Sequence, residues 1–146
     1  MMLLDLVVVG KLRSREISAL CAEFAKRLGG YARLRTTELA DSDPAGEGRA
    51  IIRELDRVRG AKVVALSEEG KLFSTVRFAE FLKTCDTRVV FVVGGPFGLS
   101  PEVKARADLL WSLSPLTFTH ELARLLLLEQ LYRALNFNAG GGYHHR

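Results

Sequence analysis

Three stretches of this chain combine residue types that could do chemistry. Residues 91–101, FVVGGPFGLSP, pass from an apolar, β-branched run into Gly94-Gly95-Pro96, then Gly98, then Ser100-Pro101. Ligands of open α/β sheets bind beyond the carboxyl ends of strands. Adjacent glycines let a backbone take positive φ and approach a ligand closely, and Pro96 stiffens the turn. A strand-to-helix turn with nothing bound is the alternative reading. The run matches neither the dinucleotide pattern G-x-G-x-x-G nor the P-loop, which ends in Gly-Lys-Ser/Thr. Residues 110–120, LWSLSPLTFTH, also leave an apolar run and are rich in hydroxyls. Such a loop offers backbone amides and carbonyls to a polar ring edge, with Leu113, Leu116 and Phe118 as apolar walls. A plain connector is the alternative. The tail, residues 136–146 (NFNAGGGYHHR), places three glycines before Tyr143, His144, His145 and Arg146. A glycine spacer is flexible, and these four side chains can stack on a base, move a proton near neutral pH or hold a phosphate. A disordered end is the alternative.

The elements that must position these stretches follow from periodicity. Leu3–Val9 reads as a buried strand closed by Gly10. Ser14 caps a helix carrying Ile17, Leu20, Cys21, Phe24 and Leu28, stopped by Gly29-Gly30. Residues 32–39 read as a strand and residues 40–48 (ADSDPAGEG) as a loop. A helix to about Arg59 follows, with Ile51, Leu55 and Val58 inward. Its stripe of Arg49, Arg53 and Arg57 is either a solvated face or a phosphate-contacting one. Lys62–Ser67 reads as a strand turned by residues 68–71 (EEGK), Ser74 opens a helix, and Arg88–Val93 reads as a central strand buried on both faces. Ser100 caps a short helix with Pro101 in its first position, and Leu109–Leu113 forms the fifth strand. The last helix spans about Thr119 to Leu135. Its apolar positions cover more than one face, which predicts burial on two sides, the second against another subunit through residues such as Leu126 and Leu127. Alternation of strand and helix five times predicts an α/β fold with a largely parallel sheet in one domain.

Composition narrows the setting. The 146 residues suit one domain, and a formal net charge of +4 leans toward a polyanionic partner without requiring one. Cys21 and Cys85 read as buried thiols, and no zinc spacing or disulfide framework is present. The first ten residues are apolar but lack a basic leader and a cleavage site, and no apolar run has membrane-spanning length. A cytoplasmic setting is expected.

GGPFGLSP, WSLSPLTFTH, the leucine-rich helix ending in EQLYRA and the terminal YHHR together resemble the RlmH family. These are SPOUT-superfamily enzymes that N3-methylate a pseudouridine in 23S ribosomal RNA. VVVGKL at the start and VVALSEEGK in the middle are similar too, so the likeness covers nearly the whole chain, most weakly over residues 31–60. It implies a parallel sheet flanked by helices, with a trefoil knot in the C-terminal segment. It implies S-adenosylmethionine held by Leu66, Gly95 and the run Ser114, Pro115, Leu116, Thr117, Phe118 and Thr119. It implies a homodimer in which the tail, residues 136–146, completes the partner's site, and it implies no metal.

The mechanism this resemblance implies needs little chemical activation of the donor. The protein aligns an in-line displacement and handles one proton. His144 is the first candidate to take the N3 proton, Tyr143 to stack on or orient the base, and Arg146 to hold a phosphate or the anionic base. The family usually ends Tyr-His-Arg, and the extra His145 here displaces Arg146 by one position. His120 is either a structural histidine or a further candidate. Lys11, Arg13 and Arg15 are candidates for RNA contact, with recognition of a folded ribosomal surface by shape. Two rival functions are a methyltransferase of another RNA, such as tRNA, and a non-catalytic assembly factor of the same fold.

Overall fold

The computed structural model describes residues 1–86 and 88–145. Five parallel strands form one sheet: β1 (Met2–Val9), β2 (Ala32–Leu39), β3 (Lys62–Leu72), β4 (Arg88–Val93) and β5 (Leu109–Ser112), in the order β2-β1-β4-β3-β5. The helices between and after them are α1 (Arg15–Leu28), α2 (Pro44–Arg57), α3 (Thr75–Thr84), α4 (Pro101–Arg106) and α5 (His120–Asn138).

The central strands are buried on both faces, so their side chains divide by the period of two. Leu4, Leu6 and Val8 of β1 and Val89, Phe91 and Val93 of β4 pack with α1, α3 and α5. Val7, Val9, Val90 and Val92 pack with Ile51 and Leu55 of α2 and Val103 of α4 on the other face. Asp5 is the one acid inside β1, and a buried charge needs partners. It accepts hydrogen bonds from Arg35 Nε at 2.9 Å and Arg88 Nε at 2.7 Å, which ties both neighbouring strands to β1.

Every helix opens on a side-chain cap, as the orphan amides of a first turn require. Ser14, Ser74, Ser100 and Thr119 accept from Ile17, Arg77, Val103 and Leu122. The fifth cap corrects the sequence reading. Residues 44–48 are helical rather than loop: Asp43 accepts from the Gly46 amide at 2.6 Å and Pro44 takes the first helical position. Gly48 belongs inside this helix because a side chain there would lie 2.6 Å from the Ser100 hydroxyl, so its absence lets α2 pack on the start of α4.

Two further readings change. β3 does not stop at Ser67. Both Leu66 and Lys71 pair with Trp111 of β5, so residues 67–70 are looped out as a bulge within one strand. Gly70 permits it, since a Cβ there would sit 2.6 Å from the Leu110 carbonyl. The last helix runs three residues past Leu135. It lies between α1 and α3 on the sheet, with Leu127, Leu128, Leu131, Ala134 and Leu135 buried inside the protomer. Much of its apolar circumference is therefore satisfied without a partner, and Leu127, fully buried here, is a core residue rather than an interface one. Both cysteines are buried, and burial pushes their thiols above the ordinary value, as suits packing residues rather than nucleophiles.

Candidate active site

The site is built where β4 and β5 end, beside the bulge inside β3. Trp111 stacks on Phe78 with ring centroids 4.1 Å apart, which fixes β5 at the point where its loop departs. In that loop the Ser112 hydroxyl donates to the Ser114 carbonyl at 2.8 Å. The Ser114 hydroxyl accepts from the Leu116 amide at 3.0 Å, and Thr117 donates to Glu68 at 3.0 Å. Thr119 then caps α5. The hydroxyls thus hold the loop's own path and leave Leu116, 72% exposed, pointing outward.

The loop after β4 faces it. The Gly95 carbonyl accepts from the Gly98 amide at 3.0 Å, closing a tight turn. Positive φ falls at Gly98, with φ of 76°, and not at the paired glycines as the sequence suggested. Gly94 and Gly95 are required for closeness instead. A Cβ on Gly94 would lie 2.7 Å from Leu99, and one on Gly95 would lie 3.1 Å from both Val9 and a carboxylate oxygen of Glu47.

A cleft of about 890 Å³ opens between these loops. Seven of the eight expected cofactor residues line it: Leu66, Gly95, Ser114, Leu116, Thr117, Phe118 and Thr119. Pro115 lies between two of them but is not part of the wall. Val93 and Leu113 add apolar surface. The bulge in β3 brings Glu68 and Glu69 to the wall, where Glu69 pairs with Lys104 at 3.0 Å. Glu121, in the first turn of α5, accepts from the Arg13 and Ser14 amides at 2.8 and 2.9 Å. Those two backbone bonds, from Ser14 and then Arg13, hold its carboxyl below the usual range. His120 completes this side, and its ring lies against Gly10, with Asp41 on the same spot. The charged side chains of the cleft are therefore mainly acidic, with apolar walls and turn backbone between. That lining suits a ligand that joins a flat heterocycle to a separate positive charge.

Glu47 was missed by sequence reasoning. It is 3% exposed, one oxygen accepts from the Ser42 amide at 2.9 Å, and the other has no partner among the described residues. A lone glutamate in a segment read as loop carried no periodic signal.

The tail is elsewhere. After Gly140, with φ of 81°, the chain folds back on α5. The Tyr143 amide donates to Asn136, and its hydroxyl donates to Glu129 at 2.9 Å. Its ring meets Tyr132 edge-on and lies under Arg133. Burial, reinforced by the bond to Glu129, pushes this phenol above its ordinary value. Arg133 Nη1 lies 3.1 Å from His144 Nδ1. A guanidinium only donates, so Nδ1 is the acceptor there and any ring proton sits on Nε2. Glu129 and Arg133 lie six and ten residues beyond Ala123, the last residue of α5 in the cleft wall, which at 1.5 Å per residue is about 9–15 Å along the helix. Neither Tyr143 nor His144 lines the cleft of its own protomer. Arg146 lies outside the described residues.

Comparison with known proteins agrees with this architecture. A family model described as "Predicted SPOUT methyltransferase" matches residues 2–144. Proteins named ribosomal RNA large subunit methyltransferase H are similar over the full length. The one from Gloeobacter violaceus is 43% identical over 99% of both chains. The one from Desulfitobacterium hafniense is 40% identical over 99% of both. Among solved structures, a probable methylase family protein from Haemophilus influenzae superposes with a TM-score of 0.60 at 14% identity, over 98% of this chain and 70% of that one. The SpoU methyltransferase AviRb from Streptomyces viridochromogenes, solved with the cofactor AdoMet, gives 0.50 at 14%, over 94% and 58%. At such identity these structures speak to the fold alone. With five parallel strands, a glycine turn and a hydroxyl-rich loop around one cleft, and a family match over nearly every residue, the chain belongs to the SPOUT methyltransferase family.

Proposed function

We propose that this protein uses S-adenosylmethionine to methylate 23S ribosomal RNA at N3 of a pseudouridine, on the ribosome, as a cytoplasmic homodimer. The observation that carries the reading is the acidic, apolar-walled cleft between the loops after β4 and β5. The name its relatives carry, ribosomal RNA large subunit methyltransferase H, points to the same substrate class. Leu66 and Phe118 would flank the adenine, and the backbone of residues 114–119 would meet its polar edge. Gly95 would admit the ligand through its missing side chain, and the carboxylates would face its positive charge. Bound there, S-adenosylmethionine supplies a methyl group already activated on a sulfonium.

The remaining work is done by this chain. N3 of the base is protonated near neutral pH, and the proton must leave before the nitrogen attacks. His144 is assigned to receive it, once released from Arg133; Tyr143 to orient the base; and Arg146 to steady its negative charge. These residues act on a second copy's cleft. Their anchorage about 9–15 Å along α5 from the last residue of their own cleft supports delivery in trans. Phe97, Leu116 and Leu122, exposed at the cleft mouth, are apolar surface that a second copy would cover. Lys11, Arg13 and Arg15 are exposed beside it and available to phosphates. In this reading the path from β4 at the sheet centre, out to β5 at its edge and back to α5, threads the family's knot. Among the described residues no helix is long and apolar enough to cross a membrane, and no cluster of three metal-binding side chains occurs.

The test is methyl transfer from labelled donor to assembled ribosomes, free large subunits, naked ribosomal RNA and bulk tRNA. Mass spectrometry then identifies the nucleoside. N3-methylpseudouridine in large-subunit RNA is expected, best on assembled ribosomes. Label in tRNA instead would replace the substrate, and a folded protein that binds no donor would make it an assembly factor.

A further inference from the structure

Glu47 is the one acid among the described residues with a buried carboxylate oxygen that lacks a hydrogen-bond partner. The other carboxylates around the cleft have partners: Glu68 the Thr117 hydroxyl, Glu69 the Lys104 ammonium, Glu121 two backbone amides. Glu47 sits in the first turn of α2, 3% exposed, with one oxygen on the Ser42 amide and the other bare. No ion pair reaches it among the described residues. A buried polar oxygen without a protein partner is disfavoured and uncommon, so it calls for a physical reason. The bare oxygen lies beside Gly95: a side-chain carbon there would be 3.1 Å from it. Gly95 is also a wall of the cleft, so one residue of backbone separates the carboxylate from whatever the cleft holds. In a dry interior its field is weakly screened in that direction.

We propose that Glu47, sealed behind Gly95, is a charge-selecting residue that favours a cationic sulfonium nucleoside over the neutral thioether left when the methyl group departs. This rests on the cofactor assignment above and adds a role to it. Methyl transfer moves the positive charge off sulfur: the S–CH3 bond breaks, its electron pair stays on sulfur, and the methyl joins the base nitrogen. A fixed negative charge behind the turn therefore holds the donor and lets go of the spent product. A residue that merely braces the turn would treat both ligands alike.

Calorimetry on the full-length protein separates these roles, with S-adenosylmethionine and S-adenosylhomocysteine as the two probes. Wild type should prefer the sulfonium. Glu47→Gln, which keeps shape and removes charge, should lose on the order of tenfold in affinity for the sulfonium and leave the thioether unchanged. That is the scale of a unit charge acting over roughly 10 Å at an effective dielectric near 20. Glu47→Leu, which leaves no polar atom to satisfy, should behave the same way. Equal changes for both ligands, or none, would overturn the proposal. So would loss of fold in both variants, which would assign the carboxylate to the scaffold. Wild type binding neither nucleoside would instead defeat the cofactor assignment itself.

Discussion

The two ends of α5 adjoin the hydroxyl-rich loop and the tail, yet they are built in opposite ways. At the amino end, Thr119 caps the helix, Glu121 grips the loop at residues 13–14, and the preceding turn presents backbone to an open cleft. At the carboxyl end, Tyr143 and His144 are turned back and held by Glu129 and Arg133 of the same helix. In the function proposed above, the first end is the receptor and the second holds the reacting side chains. A single protomer is then half of a site twice over, and the helix between them sets the spacing that a second copy bridges in that proposal.

The largest effect should come from breaking the helix that keeps both ends apart. Leu127 is fully buried against the sheet. Leu127→Asp places an unpaired charge there at a cost of about 4 kcal/mol or more, enough to abolish a marginal fold. Circular dichroism should show an unfolded chain, with donor binding and tail anchorage lost together. A folded monomer with donor affinity intact would mean Leu127 belongs to the interface after all.

Local signals in the sequence were read well and distant ones poorly. Three of the five helix caps, the central strand at Arg88–Val93 and the loops after β4 and β5 follow from residues within a few positions of one another, because capping and alternation are short-range physics. The start of α2 was hidden because Gly46 and Gly48 look like loop, and the reason for Gly48 lies in Ser100. The bulge that delivers Glu68 and Glu69 depends on how β3 meets Trp111, and the bare oxygen of Glu47 on Gly95. The tail's attachment depends on Glu129 and Arg133, spaced as ordinary helix-surface residues. The spacing that locates a loop is local, whereas the contact that gives it chemistry is made across the fold.

A smaller effect tests the division between the ends directly. Removing residues 143–146 should leave donor affinity unchanged and lower turnover at least about a hundredfold, the scale of a lost general base. Gly95→Val should instead abolish donor binding, and with it turnover, since a branched side chain would collide with Glu47 and Val9. Neither variant works alone. Mixed and refolded together, they should regain activity, because a mixed dimer pairs an intact cleft with the other copy's intact tail. Activity that stays absent in verified mixed dimers would put the tail back on its own cleft.

The smallest effect is a difference in sign with pH. At the amino end, Glu121 has its carboxyl lowered by the Ser14 and Arg13 amides. A lowered acid contributes anchorage that is present above its unfolded value of 4.5 and lost as pH falls through the folded one. At the carboxyl end, Tyr143 is raised above 10.0 by burial and by its bond to Glu129. A raised phenol contributes anchorage that is present below that value and lost as pH rises through the folded one. Acid should therefore loosen the cleft end and alkali the tail end. Amide exchange at Arg13 and Ser14 reports the first, and Glu121→Gln should flatten it. Tyrosinate absorbance reports the second, with Tyr143→Phe removing the late-titrating component. If both ends loosened in the same direction, the anchors would not be independent, and the picture of α5 as a spacer between two separate half-sites would have to be given up.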